Sequence, residues 1–144
     1  MIENIQYISQ DNNGLSHLEN IEAACLAGVK WVQLRVKKQD SSEWLRIAFE
    51  ARDICDRYNV TLIINDNADI ALNVAADGVH LGLEDMPVKK ARQILGSGKI
   101  IGATANTMEH IRAHAADGAD YIGLGPFRFT ETKEKLRPIL GIEG

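Results

Sequence analysis

Short apolar runs alternate with longer segments of helical periodicity along most of this sequence. The runs predict strands over residues 6–9, 31–36, 61–64, 79–81, 99–103 and 121–124, and a predicted helix follows each of the first five. Parallel strands need a crossover connection, which is usually a helix, so this alternation favours a parallel sheet. The sequence therefore predicts an α/β fold of about six βα units.

The number of strands leaves two architectures open. An open, doubly wound sheet is complete with five or six strands. A closed barrel needs eight strands, normally in roughly 200 residues or more, whereas this chain has 144 residues. On strand count alone, the open sheet is the favoured architecture.

Several local patterns mark the ends of the predicted helices. Ser16 and Glu19 have the spacing of a capping box, and Asp40 with Glu43 can cap the helix that follows the second strand. Asn106 with Glu109 has the same spacing before the helix predicted at 108–116. The tetrapeptide Ala-Ala-Asp-Gly occurs at 75–78 and again at 115–118, each time between a predicted helix and a predicted strand. This echo indicates repeated βα units 40 residues apart.

Composition narrows the classes of function. A formal net charge of −4 argues against a nucleic-acid or membrane-surface partner. There is no apolar run of about 18 residues and no signal-peptide pattern at the start. Cys25 and Cys55 occupy apolar positions of helical patterns, which predicts buried, reduced thiols and a cytoplasmic protein.

Polar side chains recur where the predicted strands end. Parallel strands of a barrel all open on one face, so these side chains would converge there. Two carboxylates among several cations suggest Mg²⁺ with a phosphorylated ligand, because Mg²⁺ favours one or two carboxylates plus phosphate oxygens. The residues concerned are Arg35, Lys37, Asn65, Asp66, Asp85, Thr104, Thr130, Thr132 and Lys133.

Each of these residues also has an ordinary structural interpretation. Asp66 could cap the next helix, Asp85 could be a solvated loop acid, and Arg35 and Lys37 could extend over a strand edge. The threonines and lysine at 130–133 could be loop surface. His80 is predicted to be a hydrogen-bonded core residue. The remaining histidines, predicted to lie on helix surfaces, are His17, His110 and His114.

Taken together, the segments are specific. They comprise the hexapeptide at 32–37 (Val-Gln-Leu-Arg-Val-Lys), Ile-Asn-Asp at 64–66, the nonapeptide at 77–85, Ile-Gly-Ala-Thr at 101–104, the heptapeptide at 120–126 and Thr-Glu-Thr-Lys at 130–133. In this order and spacing they resemble the thiamine phosphate synthase family. The resemblance covers nearly the whole chain, and Gly-Ile-Glu-Gly at 141–144 is similar to the start of that family's next helix.

The resemblance implies a (β/α)₈ TIM barrel and a transferase of thiamine biosynthesis that requires Mg²⁺. Such an enzyme joins hydroxymethylpyrimidine diphosphate to hydroxyethylthiazole phosphate, giving thiamine phosphate and pyrophosphate. By motif, the implied ligands are Asp66 and Asp85 for Mg²⁺; Arg35, Lys37 and Lys133 for the diphosphate; Gln33 and Asn65 for the pyrimidine; and Thr130 and Thr132 for the thiazole phosphate or pyrophosphate. Thr104 stands where the family usually has serine, and it keeps the hydroxyl.

Two departures from the family pattern keep alternatives open. Asn106 stands where the related thiazole tautomerases have a histidine, and asparagine does not shuttle protons near pH 7. Six βα units instead of eight predict that residues 1–144 are a single, C-terminally incomplete barrel domain. We then expect an incomplete thiazole phosphate site and exposed sheet edges that pair in a homo-oligomer or with a completing chain. A tautomerase-like paralogue, a non-catalytic phosphate-binding pseudoenzyme and an unrelated phosphate-binding barrel enzyme are the alternatives.

Overall fold

One parallel sheet organises the molecule. A computed structural model describes residues 2–11, 14–37, 39–129 and 139–141. Within these residues the strands follow one another across the sheet in chain order, and every neighbouring pair is parallel. The strands are β1 (Tyr7–Ile8), β2 (Trp31–Leu34), β3 (Thr61–Asn65), β4 (Gly78–Leu81), β5 (Ile100–Ala105) and β6 (Tyr121–Leu124).

A helix connects each strand to the next. These helices are α1 (His17–Leu26), α2 (Ser41–Tyr58), α3 (Ala68–Asn73), α4 (Val88–Leu95) and α5 (Met108–Ala116). Because parallel crossovers are right-handed and every step along this sheet has the same direction, all the helices lie on one face. A doubly wound sheet would reverse its strand order at some point. None of the helices in the described part of the chain is long and apolar enough to cross a membrane.

Side-chain contacts between distant strands show that the sheet is strongly curled. The side-chain nitrogen of Gln6, next to β1, donates to the hydroxyl of Tyr121 in β6 over 3.3 Å. In a flat sheet, strands five spacings apart would be separated by about 24 Å. The rings of Trp31 in β2 and Tyr121 also meet edge to face, with centroids 4.9 Å apart. The curled sheet confirms the barrel-type architecture, and the open, doubly wound sheet favoured by strand count is wrong.

The apolar core lies between the outer face of the sheet and the helices. Alternate strand residues point outward into it, including Leu34, Leu62, Ile64, Val79 and Ile101, all fully buried. Each such side chain contributes roughly 1.5–3 kcal/mol of hydrophobic stabilisation. The helices cover these residues with apolar side chains of their own, such as Ile21, Ile47, Ala51 and Ala91.

The two cysteines are free and buried, as predicted. Cys25 belongs to α1 and Cys55 to α2, and burial raises the pKa of the Cys55 thiol to about 12. Both thiols are therefore neutral members of the core at physiological pH.

The helix ends match the sequence patterns at two of the three predicted caps. Ser16 and Glu19 form a reciprocal capping box, and Asp40 caps α2 through the amides of Ser42 and Glu43. At α5 the predicted cap is wrong. Thr107 is the N-cap, with its hydroxyl oxygen 3.2 Å from the amide of His110. The side chain of Asn106 instead donates to the carbonyl of Gly125, because Asn106 still lies in line with β5 and faces the β6 end.

An arginine–aspartate clamp fastens β4 to β3 and α2 at the amino ends of the strands. One carboxylate oxygen of Asp77, just before β4, accepts hydrogen bonds from the amide of Leu62 and from Arg52, both 2.7 Å long. Arg52 has a side chain only 13% exposed and also contacts Asp56. Burial by itself lowers the pKa of Arg52, but its hydrogen bond and charge contact with Asp77 prevail and raise it.

A second clamp repeats this arrangement one pair of βα units later. One carboxylate oxygen of Asp120, just before β6, accepts from the amide of Ile101 and from Arg92, both over 2.7 Å. Asp120 is thus the structural equivalent of Asp77. The Ala-Ala-Asp-Gly echo instead aligns Asp77 with Asp117, which caps α5 with its backbone. The repeat predicted from the echo exists, but the equivalent aspartate lies three residues further along the chain.

Candidate active site

A cavity of about 1100 Å³ opens at the carboxyl ends of the strands. Ten side chains are predicted to form the site, and seven of them line this cavity. These seven come from four different βα units. These residues are Gln33, Arg35, Lys37, Asn65, Asp66, Asp85 and Thr104. The other three predicted residues, Thr130, Thr132 and Lys133, lie outside the described residues. The structure therefore brings the first seven together, while their individual roles stay predictions.

Strand register explains why these side chains converge. Residues two apart on a strand point to the same face, so the strand residues that alternate with the buried core residues point into the cavity. Asn65 on β3 is paired in register with His80 on β4, and Gln33 on β2 is paired with Ile63. Gln33 is only 3% exposed, and its amide nitrogen donates to the side-chain oxygen of Gln6 over 3.1 Å.

Two carboxyl groups meet at the mouth of this cavity. Asp66 follows β3 in a left-handed conformation, with φ at 63°, and its amide donates to the carbonyl of His80 over 2.7 Å. Asp85 is held by the amide of Gly82, 2.6 Å from its carboxylate oxygen. Burial raises the pKa of Asp85, and a hydrogen bond with the carboxyl group of Asp66 raises it further. The two acids therefore lie at the same end of the sheet and in contact.

The structure excludes helix capping as the explanation for Asp66. Its neighbour Asn67 caps α3, with a side-chain oxygen 3.0 Å from the amide of Ile70. The carboxylate of Asp66 contacts the amino group of Lys37 instead, over 2.5 Å. This pair is partly exposed, so it is worth at most about 1 kcal/mol.

The carboxylate oxygens at the cavity mouth fit a magnesium ion bound together with a phosphorylated ligand. Mg²⁺ prefers oxygen ligands and is usually held by one or two carboxylates, with water and phosphate oxygens completing six positions. Asp66 and Asp85 supply two carboxylates in contact, and a divalent cation between them would remove the repulsion that raises the pKa of Asp85. Within the described ranges, no three His, Cys, Asp or Glu side chains form a metal-binding cluster.

A polar network crosses the floor of the cavity. The two ring nitrogens of His80 lie 3.0 Å from the hydroxyls of Thr104 and Tyr121. Burial raises the pKa of Tyr121 to about 12, so its hydroxyl stays protonated. The predicted hydrogen bonding of His80 is confirmed, but its ring faces the cavity and not the helix-covered core. Alternation with the buried residues Val79 and Leu81 is the sequence signal that indicates this orientation.

Two glycines make room for the aromatic rings of this network. A Cβ atom on Gly102 would lie 2.0 Å from the ring of Tyr121, and one on Gly123 would lie 2.9 Å from the ring of His80. Any side chain at either position would displace a ring from the cavity floor. The width of the cavity at its floor therefore depends on glycine at positions 102 and 123.

The three histidines predicted to lie on helix surfaces are all at least partly buried. His17 is only 9% exposed and borders the cavity, because α1 begins directly over the end of β1. His110 and His114 are half-buried, and His114 lies 3.1 Å from the carbonyl of Thr104. The surface prediction is thus wrong for His17. The sequence does carry a signal for the burial of His17. Only a short segment separates Ser9, at the end of a strand, from the helix start marked by Ser16.

The curled parallel sheet, with its polar cavity at the carboxyl ends of the strands, defines the class of βα-barrel enzymes. Residues 6–144 match the family described as thiamine monophosphate synthase. The chain belongs to this family.

Individual relatives agree with this assignment. The thiamine-phosphate synthase of Flavobacterium johnsoniae is 51% identical over 144 residues, which are all of this chain and 68% of the relative. That of Bacteroides fragilis is 45% identical over 140 residues, which are 97% of this chain and 69% of the relative. Among solved structures, thiamine phosphate pyrophosphorylase from Pyrococcus furiosus superimposes with a TM-score of 0.83 at 32% identity, covering 96% of this chain and 66% of that one. This chain thus spans about two thirds of the length of these proteins.

Proposed function

We propose that this chain catalyses the joining of hydroxymethylpyrimidine diphosphate to hydroxyethylthiazole phosphate, releasing pyrophosphate and forming thiamine phosphate. The observation that carries the proposal is the meeting of Asp66 and Asp85 in one cavity with Arg35 and Lys37. Two acids and two cations at the mouth of a barrel suit a reaction in which a diphosphate departs. Membership of the thiamine monophosphate synthase family supports the choice of substrates.

In the proposed reaction, the bond between the pyrimidine methylene carbon and the diphosphate oxygen breaks, and the thiazole nitrogen bonds to that carbon. Arg35 and Lys37 would bind the diphosphate and stabilise its growing charge. Asp66 and Asp85 would hold Mg²⁺, which supplies further charge neutralisation to the departing group when bound. No strong base is required, so the chief tasks of the cavity are orientation and electrostatic stabilisation.

The remaining residues would position the two rings. Gln33 and Asn65 are almost completely buried and point into the cavity from adjacent strands, which suits them to bind the pyrimidine. Thr104 is fixed by its contact with His80 and presents its hydroxyl to the same space. Thr130, Thr132 and Lys133, carried over by motif alone, would bind the thiazole phosphate and the pyrophosphate.

A second candidate function is a phosphate-binding protein without catalysis. The carboxylates and cations that border the cavity would bind a diphosphate whether or not a second substrate reacts with it. Tautomerase activity is a weaker candidate, because the amide side chain of Asn106 neither gains nor loses a proton near pH 7. It donates a hydrogen bond to the carbonyl of Gly125 instead.

The first prediction concerns turnover and its dependence on metal. Purified protein mixed with both substrates and Mg²⁺ is expected to form thiamine phosphate and pyrophosphate in equal amounts. Chelation by EDTA is expected to lower the rate by at least about 100-fold, because metal stabilisation of the leaving charge is worth several kcal/mol. Added Mg²⁺ restores it. Both products are measured by chromatography.

The two candidate functions give different outcomes in this assay. Binding of Mg²⁺ and pyrophosphate by calorimetry, with no product formed from the two substrates, would favour the non-catalytic protein. A turnover rate that EDTA leaves unchanged would contradict the magnesium assignment.

The second prediction concerns association through the sheet edges. Among the described strands, β1 pairs with β2 alone and β6 with β5 alone, and apolar side chains near these edges are exposed. They are Ile8, Leu124, Phe127 and Phe129, each more than 40% exposed. Such edges favour pairing, so light scattering is expected to give a molar mass above the 15.9 kDa of one chain. A monomer at all micromolar concentrations would contradict this prediction.

We further propose that the associating partner is a second copy or a completing chain, and that the protein works in the cytoplasm on small phosphorylated molecules. The buried free thiols of Cys25 and Cys55 support a reducing compartment. The net charge of −4 supports small, locally bound anions over nucleic acid or a membrane surface as ligands.

A further inference from the structure

Beside the cavity, Ser9 and His17 form a cluster with the backbone of Arg35, and the proposed chemistry uses neither Ser9 nor His17. Ser9, at the end of β1, is completely buried, and its hydroxyl oxygen lies 2.8 Å from Nδ1 of His17. The same oxygen accepts a hydrogen bond from the backbone amide of Arg35 over 3.1 Å. The cluster therefore joins the end of β1, the start of α1 and the residue that follows β2.

These hydrogen bonds suit a tautomer of the histidine ring that presents an N–H to the cavity. The hydroxyl oxygen of Ser9 accepts from the amide of Arg35, and its own proton can be donated to Nδ1 of His17. Burial lowers the pKa of His17; the charge of Asp11 raises it and that of Arg35 lowers it, with a net decrease. The ring is therefore neutral near pH 7, and donation from Ser9 to Nδ1 leaves its single proton on Nε2.

The Nε2 atom is the part of this ring that remains for a ligand. It has no hydrogen-bond partner among the described residues, although His17 is about nine-tenths buried and borders the cavity with Arg35. The start of α1 is held firmly, because Ser16 and Glu19 cap it and the side chain of Asn20 donates to the carbonyl of Gln10 over 2.9 Å. In the tautomer with its proton on Nε2, an N–H donor thus stands next to a cation at the cavity wall.

We propose that His17 is a further substrate-binding residue, whose Nε2–H donates to the anionic oxygen atoms that Arg35 binds. This inference rests on the proposed function, which places the diphosphate at Arg35. Ser9 has the role of a positioning residue, because it fixes both the tautomer of His17 and the backbone of Arg35. A neutral donor adds orientation to the charge that Arg35 supplies.

Two substitutions separate the two ring nitrogens of His17. Asparagine places its side-chain oxygen near the position of Nδ1, so His17→Asn keeps the contact with Ser9 and loses the donor to the cavity. Glutamine places its amide nitrogen near the position of Nε2, so His17→Gln keeps the donor and loses the contact with Ser9. Each variant is the control for the other.

The experiment is calorimetric titration of the whole chain with inorganic pyrophosphate in the presence of Mg²⁺. His17→Asn is expected to raise Kd about tenfold, the effect of losing one hydrogen bond to a charged group. His17→Gln is expected to keep Kd within about threefold of the original protein. Thermal unfolding without ligand is expected to rank the variants in the opposite order, with His17→Asn the more stable.

Other outcomes overturn the inference in distinguishable ways. If the original protein binds pyrophosphate and His17→Asn binds it equally well, His17 has only a structural role and the proposed function stands. If His17→Gln alone binds more weakly, the contact with Ser9 is what matters and the inference is wrong. If the original protein does not bind pyrophosphate with Mg²⁺, both the inference and the proposed diphosphate site fail.

Discussion

Replacing Asp66 with asparagine is expected to lower kcat/KM for thiamine phosphate formation by at least about 100-fold. The substitution removes one of the two carboxylates that meet at the cavity mouth, and with it much of the affinity for Mg²⁺. The charge of the departing diphosphate would then be stabilised by Arg35 and Lys37 with a more weakly held metal. Steady-state kinetics at several Mg²⁺ concentrations measures the effect.

Asparagine is the appropriate replacement because Asp66 has a left-handed backbone, with φ at 63°. Asparagine adopts this conformation as readily as aspartate, whereas alanine would add backbone strain. The fold itself loses only the partly exposed contact with Lys37, and it gains relief from the repulsion between Asp66 and Asp85. Thermal stability without Mg²⁺ is therefore expected to be unchanged or slightly higher.

The same measurement with Mg²⁺ and pyrophosphate distinguishes a ligand from a structural residue. Ligands that bind only the folded protein raise its stability, so the original protein is expected to gain thermal stability and Asp66→Asn to gain much less. Asp69→Asn is the matched control, since Asp69 is an exposed residue in the first turn of α3. Normal activity in Asp66→Asn, or an equal loss in Asp69→Asn, would contradict the metal assignment.

Replacing Asp77 with alanine is expected to lower the free energy of unfolding by about 3 kcal/mol and the melting temperature by about 10 °C. Its carboxylate accepts from the amide of the buried Leu62 and from Arg52, whose side chain is only 13% exposed. Alanine leaves a buried amide without its acceptor and an arginine with only the exposed Asp56 as a charged partner. Denaturant unfolding followed by circular dichroism gives the energy directly.

Three further variants test whether the clamp is the cause. Asp77→Asn keeps an acceptor for Leu62 but not the charge, so we expect about half of the loss. Asp120→Ala removes the equivalent carboxylate of the second clamp, and we expect a loss similar to that of Asp77→Ala. Asp117→Ala, at the position that the sequence echo aligns with Asp77, should change stability by less than about 1 kcal/mol. Equal effects at Asp117 and Asp120 would contradict the clamp.

The strands and helices could be predicted from the sequence because their signals are local. Apolar periodicity, the Ser16–Glu19 box and the cap at Asp40 depend on neighbours within one helical turn. The architecture could not be predicted from strand count. An open sheet and a barrel differ in whether each new strand is added on the same side of the last one, and the packing of the sheet against its helices decides this. Family resemblance supplied the architecture, and the contact between Gln6 and Tyr121 shows the curvature directly.

The site was predicted less evenly, for a similar reason. Residues that directly follow a strand, such as Asp66 and Arg35, could be placed because every parallel strand ends on the same face. His17 was missed because its burial depends on where α1 begins over β1, which is a tertiary feature. Spacing alone predicts a helix cap at Asn106, whereas the approach of Gly125, just after β6, decides its partner.

The tight fit of aromatic rings over Gly102 and Gly123 has a consequence for how such a barrel could change its ligands. The rings of Tyr121 and His80 keep their places in the cavity only because these two positions carry no side chain. One alanine at either position would therefore change the shape of the cavity, and with it the choice of ligand, without touching any charged group. Substrate range and electrostatic chemistry are thus encoded by separate positions of the same strands, and evolution can vary the first while retaining the second.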